Sequence, residues 1–107
     1  MRIGFIGAGF IAHEHYRALR FLGAQVVGVT SRGRTGPLFS QQYNIPYFST
    51  AEDLVQNTRP DALYLLTHVK AFYVILSPLR KFNIPAFIEK PIPITKEERN
   101  TLRTVLP

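Results

Sequence analysis

The stretch Arg2-Ile3-Gly4-Phe5-Ile6-Gly7-Ala8-Gly9-Phe10-Ile11-Ala12 decides the fold. After Arg2 it is a short apolar run of strand character, cut at once by closely spaced glycines. From Phe10 the period changes: Ile11, His15, Ala18, Leu19 and Leu22 recur at helical spacing. The pattern predicts a helix from about Phe10, closed by Gly23 at the position where helices favour a left-handed residue. Strand, tight turn and helix are thus contiguous.

Each small residue in that turn has a physical use, and together they form the G-x-G-x-x-A version of the dinucleotide fingerprint. Gly7 permits the sharp exit from the strand. Gly9, without a side chain, lets a pyrophosphate approach the backbone. Ala12 lets the helix lie close on the strand. The free N–H groups of the first helical turn, aided by the helix dipole, then face the phosphates. Gly7, Ala8, Gly9, Phe10 and Ile11 are therefore the candidate phosphate-facing residues. A glycine-rich turn can also be purely structural, but here it follows a strand, opens a helix and begins a βαβ unit, the setting the motif requires.

Val26, Val27 and Val29 make a second strand ending at Thr30. A site for NAD usually carries Asp or Glu at this point to bond the ribose hydroxyls. The chain instead reads Thr30-Ser31-Arg32-Gly33-Arg34, with no carboxylate. Ser31 can hydrogen-bond a 2′-phosphate, and Arg32 or Arg34 can pair with its charge. NADP is accordingly favoured, with NAD still possible. The plainer alternative is that both arginines are solvated loop residues.

Further along, Ser31 to Pro37 reads as a turn-rich loop, Leu38 to Tyr43 as a short helix and Ile45 to Phe48 as a brief strand. Ser49 with Glu52, or Thr50 with Asp53, offers a capping box for a helix carrying Leu54 and Val55. Ala62 to Leu66 reads as a strand buried on both faces. Phe72 to Phe82 reads as a helix kinked or started late by Pro78. Asn83 suits a left-handed cap, Ala86 to Ile88 a further strand, and Thr95 with Glu98 the start of a last helix reaching about Leu106. Five alternations of strand and helix predict an α/β protein: a Rossmann-type doubly wound parallel sheet of about five strands, helices on both faces, the last strand missing.

The chain of 107 residues is one domain in size, and 46% hydrophobic residues suffice for a core. Without cysteine it has no disulfide framework, thiolate metal site or cysteine nucleophile. No stretch approaches the roughly 20 apolar residues of a membrane helix, and nothing reads as a signal peptide. A cytoplasmic protein without membrane contact is the expectation. The net charge of +6 is spread along the chain with no basic run of four, so a solvated basic surface is preferred to nucleic-acid binding. His13 and His15 point to different sides of their helix and make a poor metal pair. No metal site is expected.

Gly7-Ala8-Gly9-Phe10-Ile11-Ala12-His13-Glu14-His15-Tyr16-Arg17-Ala18-Leu19 resembles the opening of the glucose–fructose oxidoreductase and myo-inositol dehydrogenase (Gfo/Idh/MocA) family. Asp61-Ala62-Leu63-Tyr64-Leu65-Leu66-Thr67 is similar to that family's fourth strand, and Glu89-Lys90-Pro91 to its Glu-Lys-Pro motif. The resemblance covers nearly the whole chain. It implies a nicotinamide cofactor held by this domain, with Thr67, His68, Glu89 and Lys90 around it, and a second domain that binds a sugar, polyol or related substrate. It also implies Lys90 as the catalytic residue, its ammonium near the nicotinamide and the reacting carbon, where a cation stabilises an alkoxide or relays its proton. Glu89 would position Lys90 and Pro91 would fix the turn.

The chain departs from the family at His68, where a proline is common, so His68 either faces the nicotinamide or is a solvated loop histidine. Pro78 and the length are further departures. The substrate domain has no counterpart in these residues, so the chain reads as the cofactor half of an NAD(P)-dependent oxidoreductase, inactive alone. The alternative is a stand-alone nucleotide-binding or sensing module. Apolar surface left open at a sheet edge and on the last helix predicts a homo-oligomer.

Overall fold

The computed structural model describes residues 1–67 and 77–88. The elements run β1 (Arg2–Ile6), α1 (Phe10–Phe21), β2 (Gln25–Thr30), α2 (Thr35–Tyr43), α3 (Ala51–Thr58), β3 (Ala62–Leu65), a 3-10 turn (Arg80–Phe82) and β4 (Ala86–Ile88). The four strands form a parallel sheet in the order β2-β1-β3-β4. The chain therefore steps from β1 outward to β2 and then returns to β3 on the other side of β1. That reversal opens a crevice at the carboxyl ends of β1 and β3, the place where ligands bind in doubly wound sheets.

The expected third strand, Ile45 to Phe48, is reduced to one isolated bridge, Val29 to Tyr47, at the outer edge of β2. The Val29 N–H reaches the Pro46 carbonyl at 3.0 Å and the Phe48 N–H reaches the Val29 carbonyl at 2.9 Å. Pro46 has no N–H to give, so the ladder cannot be continued through it. The sheet thus has four strands and a bridge among the described residues.

Alternation along the strands divides the core into two layers. Ile6, Leu63 and Leu65 pack with Leu54 and Val55 of α3 and with Leu79 on one face. Ile3, Phe5 and Val29 pack with Ala12 and Leu19 of α1 and Phe39 of α2 on the other. Phe39 is the hub of the second layer, its ring within 5.8 Å of Phe5 and Tyr16, 5.0 Å of His13 and 4.7 Å of Tyr43. Truncating such a side chain to Ala typically costs about 3–5 kcal/mol.

Three local expectations need correction. The buried face of α1 is Ala12 and Leu19 with half-buried Tyr16, whereas Ile11, Ala18 and Leu22 are exposed. Two apolar stripes run along this helix about 100° apart, and the small Ala12 decides between them because it allows the closest approach to the sheet. Helix α2 begins at Thr35 rather than Leu38, with Pro37 inside its first turn, where a missing N–H forfeits no helical bond. Strand β3 ends at Leu65 and is buried on one face only, Ala62 and Tyr64 being half-buried. Tyr64 instead stacks on Phe5 and on Phe87 of β4, centroids 5.7 and 4.7 Å apart.

Other expectations stand. Gly23 follows the end of α1 with φ 83°, and Asn83 takes φ 52° after the 3-10 turn. Residues 77–79 are helical up to that turn, with Pro78 among them. The start of the helix expected from Phe72 and the last helix expected from Thr95 lie outside the described residues.

Candidate functional site

At the end of β1 the Gly7 N–H donates to the Thr30 carbonyl at 2.8 Å, and the Leu66 N–H donates to the Ile6 carbonyl at 2.8 Å. These bonds tie the carboxyl ends of β1, β2 and β3 into one rim. Gly7 has φ 109°, and a Cβ there would stand 2.7 Å from the Leu66 carbonyl carbon and 2.9 Å from the Thr67 nitrogen. Both conformation and space therefore require glycine at this position.

Gly9 is different. It is the N-cap of α1 with φ −77°, a conformation open to any residue, and a Cβ would meet nothing within 4 Å. Each of the other six glycines is accounted for by a positive φ or by a neighbour that a Cβ would strike. The fold gives no reason for glycine at 9. The empty space in front of it does, if a ligand fills that space.

The amino end of α1 is correspondingly bare. No side chain caps it and no acidic residue lies in its first turn. The amino end of α3 contrasts with it: Thr50 Oγ1 accepts the Asp53 N–H at 3.1 Å, and Glu52 and Asp53 supply negative charge in the first turn. An anion is thus favoured at α1 and disfavoured at α3.

A cleft of about 550 Å³ lies over this rim. Ile6 and Gly7 line it from β1, Thr30, Ser31 and Arg32 from β2, and Thr67 from the exit of β3. Arg32 is exposed at its wall; Arg34, also exposed, is the N-cap residue of α2. Ala8 is buried behind the turn, while Phe10 and Ile11 are exposed at the start of α1. His68, Glu89 and Lys90 lie outside the described residues. The chain leaves β4 at Ile88, whose register with Leu65 puts that exit on the same edge of the sheet as the cleft.

The far wall of the cleft was not foreseen. Ser49, Thr50, Ala51, Glu52 and Asp53 form it together with Pro78 and Leu79. The Thr50–Asp53 pair marks a helix start in the sequence, but nothing local says that this start faces the end of β1. Lys81 holds Glu52 at 3.0 Å, which neutralises one of the two carboxylates on that wall. His13 Nδ1 shares a 2.6 Å hydrogen bond with Tyr43 Oη, and His15 packs edge-on against Tyr64 and Phe87, so the two histidines face different neighbours. Among the described residues no group of three or more His, Asp or Glu side chains lies together as a metal site would need. No helix among them is long and apolar enough to cross a membrane.

The WlbA dehydrogenase from Bordetella pertussis, solved with NADH and UDP-GlcNAcA, superposes with a TM-score of 0.83 at 20% identity over 97% of this chain and 32% of its own. The UDP-N-acetylglucosamine 3-dehydrogenase GnnA from Acidithiobacillus ferrooxidans gives 0.79 at 21% identity, covering 98% of this chain and 34% of its own. Biliverdin reductase from Synechocystis, solved with biliverdin and NADP+, gives 0.78 at 16% identity, covering 97% and 34%. The chain spans about a third of the length of these structures, and the likeness shows a shared fold. Among curated protein sequences none matches. The profile of an oxidoreductase family with an NAD-binding Rossmann fold matches residues 1–106, and with the fingerprint turn, the bare amino end of α1 and the sheet order in agreement, the chain belongs to that Gfo/Idh/MocA family.

Proposed function

We propose that residues 1–107 hold the nicotinamide dinucleotide of an oxidoreductase acting on a sugar, polyol or related substrate, with NADP preferred and NAD accepted. The observation that carries this reading is Gly9, a glycine that the fold does not need, facing open space at an uncapped helix end. The N–H groups of Phe10 and Ile11 would receive the pyrophosphate, with Gly7 shaping the turn and Ala8 packed behind it. Ser31 and Arg32 at the cleft wall would receive the 2′-phosphate, and Arg34 would add charge from the loop. Thr67 and His68 would flank the nicotinamide end.

A bound nicotinamide supplies or accepts the hydride. Lys90, reached through Glu89 from the end of β4, would stabilise the alkoxide or carry its proton. The substrate itself must be held against the cofactor, which calls for a second domain such as the longer relatives have room for. The proposal extends to a cytoplasmic homo-oligomer, on the grounds of a cysteine-free sequence and exposed Ile11, Leu22 and Phe87.

Calorimetric titration with NADPH and NADH tests the cofactor reading. The expected result is tighter NADPH binding that weakens about tenfold in Arg32→Ala, with NADH changed less than about threefold. Equal affinities in the unsubstituted chain would overturn the NADP preference, and binding of neither would overturn the cofactor site.

A further inference from the structure

The end of β2 carries a second hydroxyl beside Ser31. Thr35, the first residue of α2, places Oγ1 3.1 Å from Ser31 Oγ. Both hydroxyls otherwise reach one acceptor, the Arg32 carbonyl, Ser31 at 3.3 Å and Thr35 at 3.5 Å. Those two bonds are long and therefore weak, so either hydrogen can turn to an incoming ligand oxygen at little cost. The carbonyl they share belongs to Arg32, whose residue lines the cleft as Ser31 does.

Gly36 leaves the room in which this pair lies. It is buried, and its φ is ordinary, so space rather than conformation excludes a side chain. A Cβ would lie 2.5 Å from Ser31 Oγ and 2.6 Å from the Tyr47 ring. The first turn of α2 is thus seated directly on the Ser31 hydroxyl.

We infer that Thr35 is a further specificity-determining residue, donating with Ser31 to a phosphomonoester on the ribose 2′ carbon, and that Gly36 is the positioning residue that sets the pair. The inference rests on the NADP reading above. A tetrahedral dianion takes several donors at once: the two hydroxyls lie 3.1 Å apart, Arg32 lines the same cleft as Ser31, and no carboxylate stands among Thr30 to Gly36 to repel it. A ribose 2′-hydroxyl gains less from the same groups, because it is neutral and brings no charge for the guanidinium to pair with.

The test is calorimetric titration of the full chain with NADPH and with NADH, for the unsubstituted protein and four variants: Thr35→Val, Gly36→Ala, Ser31→Ala and the last two combined. Thr35→Val keeps the shape of an exposed side chain and removes only the hydroxyl; NADPH affinity is expected to fall about fivefold to tenfold with NADH within about twofold. Gly36→Ala is expected to lower NADPH selectively as well, and to have no further selective effect when Ser31 is already Ala, because the hydroxyl it displaces is then gone while the clash with the Tyr47 ring weighs on both cofactors alike. An unchanged NADPH-to-NADH ratio in Thr35→Val, where the unsubstituted chain prefers NADPH, would overturn this inference and leave the Arg32 site standing. Absence of any NADPH preference in the unsubstituted chain would instead bring down the NADP reading, and this inference with it. Equal loss of both cofactors in a folded Gly36→Ala would reduce Gly36 to packing. Thr35→Val decides alone if Gly36→Ala does not fold.

Discussion

Gly7 and Gly9 stand two residues apart and answer to different demands. Gly7 is bound to its φ of 109° and to backbone atoms of Leu66 and Thr67 under 3 Å from any Cβ. Gly7→Ala should therefore lower stability by about 2–4 kcal/mol, the sum of backbone strain and overpacking, read by urea denaturation. Gly9→Ala meets no neighbour and should cost under about 1 kcal/mol, mostly as a poorer N-cap; on the proposed reading its methyl would take the phosphate's place and weaken NADPH by tenfold or more. If the two variants lost stability and affinity in parallel, the division of labour would be refuted. Arg59 holds φ 46° at the end of α3, where a side chain is strained. Arg59→Gly should raise the melting temperature, by a stabilisation of about 0.5–1 kcal/mol. Residues of this kind were partly legible. The G-x-G-x-x-A spacing marks Gly7 as the turn residue that its φ and its neighbours require, whereas Thr35 lies in a stretch whose turn-rich composition conceals the first residue of a helix beside Ser31.

The elements show where local pattern suffices and where it does not. The ends of α1 follow from Phe10 and Gly23, since a glycine turn and a left-handed cap are short-range signals. Its buried face does not follow, because two apolar stripes compete and the outcome depends on the sheet beneath. Ala12 contained the answer: only a small residue tolerates the contact that a fingerprint helix makes with its strand. Two caps were available before α3, and Thr50 is the one used, its Oγ1 accepting the Asp53 N–H. Thr50→Ala should cost about 1 kcal/mol in urea denaturation. Ser49→Ala should cost nothing measurable; an equal loss in both would mean that the cap is shared. Helix α2 starts at Thr35, ahead of Leu38, because Pro37 is harmless in a first turn. The cleft's far wall was out of reach for a similar reason, since α3 is brought to it by the return of the chain across β1.

For the whole molecule, charge and exposed apolar surface make separate predictions. If NADP is the cofactor, as proposed, a net charge of +6 and an exposed Arg32 would meet its 2′-phosphate in screened contact, so added salt should weaken NADPH more than NADH. A ratio independent of salt would place the phosphate away from any guanidinium. Ile11, Leu22 and Phe87 remain open to solvent, and Phe87 lies on the last described strand. Sedimentation at rising concentration should show a dimer or larger species; a clean monomer throughout would count against self-association. The bridge at Tyr47 bears on how the chain fails. Pro46 leaves the rim beyond β2 without the regular comb of donors that a stray strand would need to dock, so the protein is blunted on that side against runaway stacking into fibres. A charged residue placed beside Pro46 would then add little to the protein's shelf life, because that rim is already closed to docking.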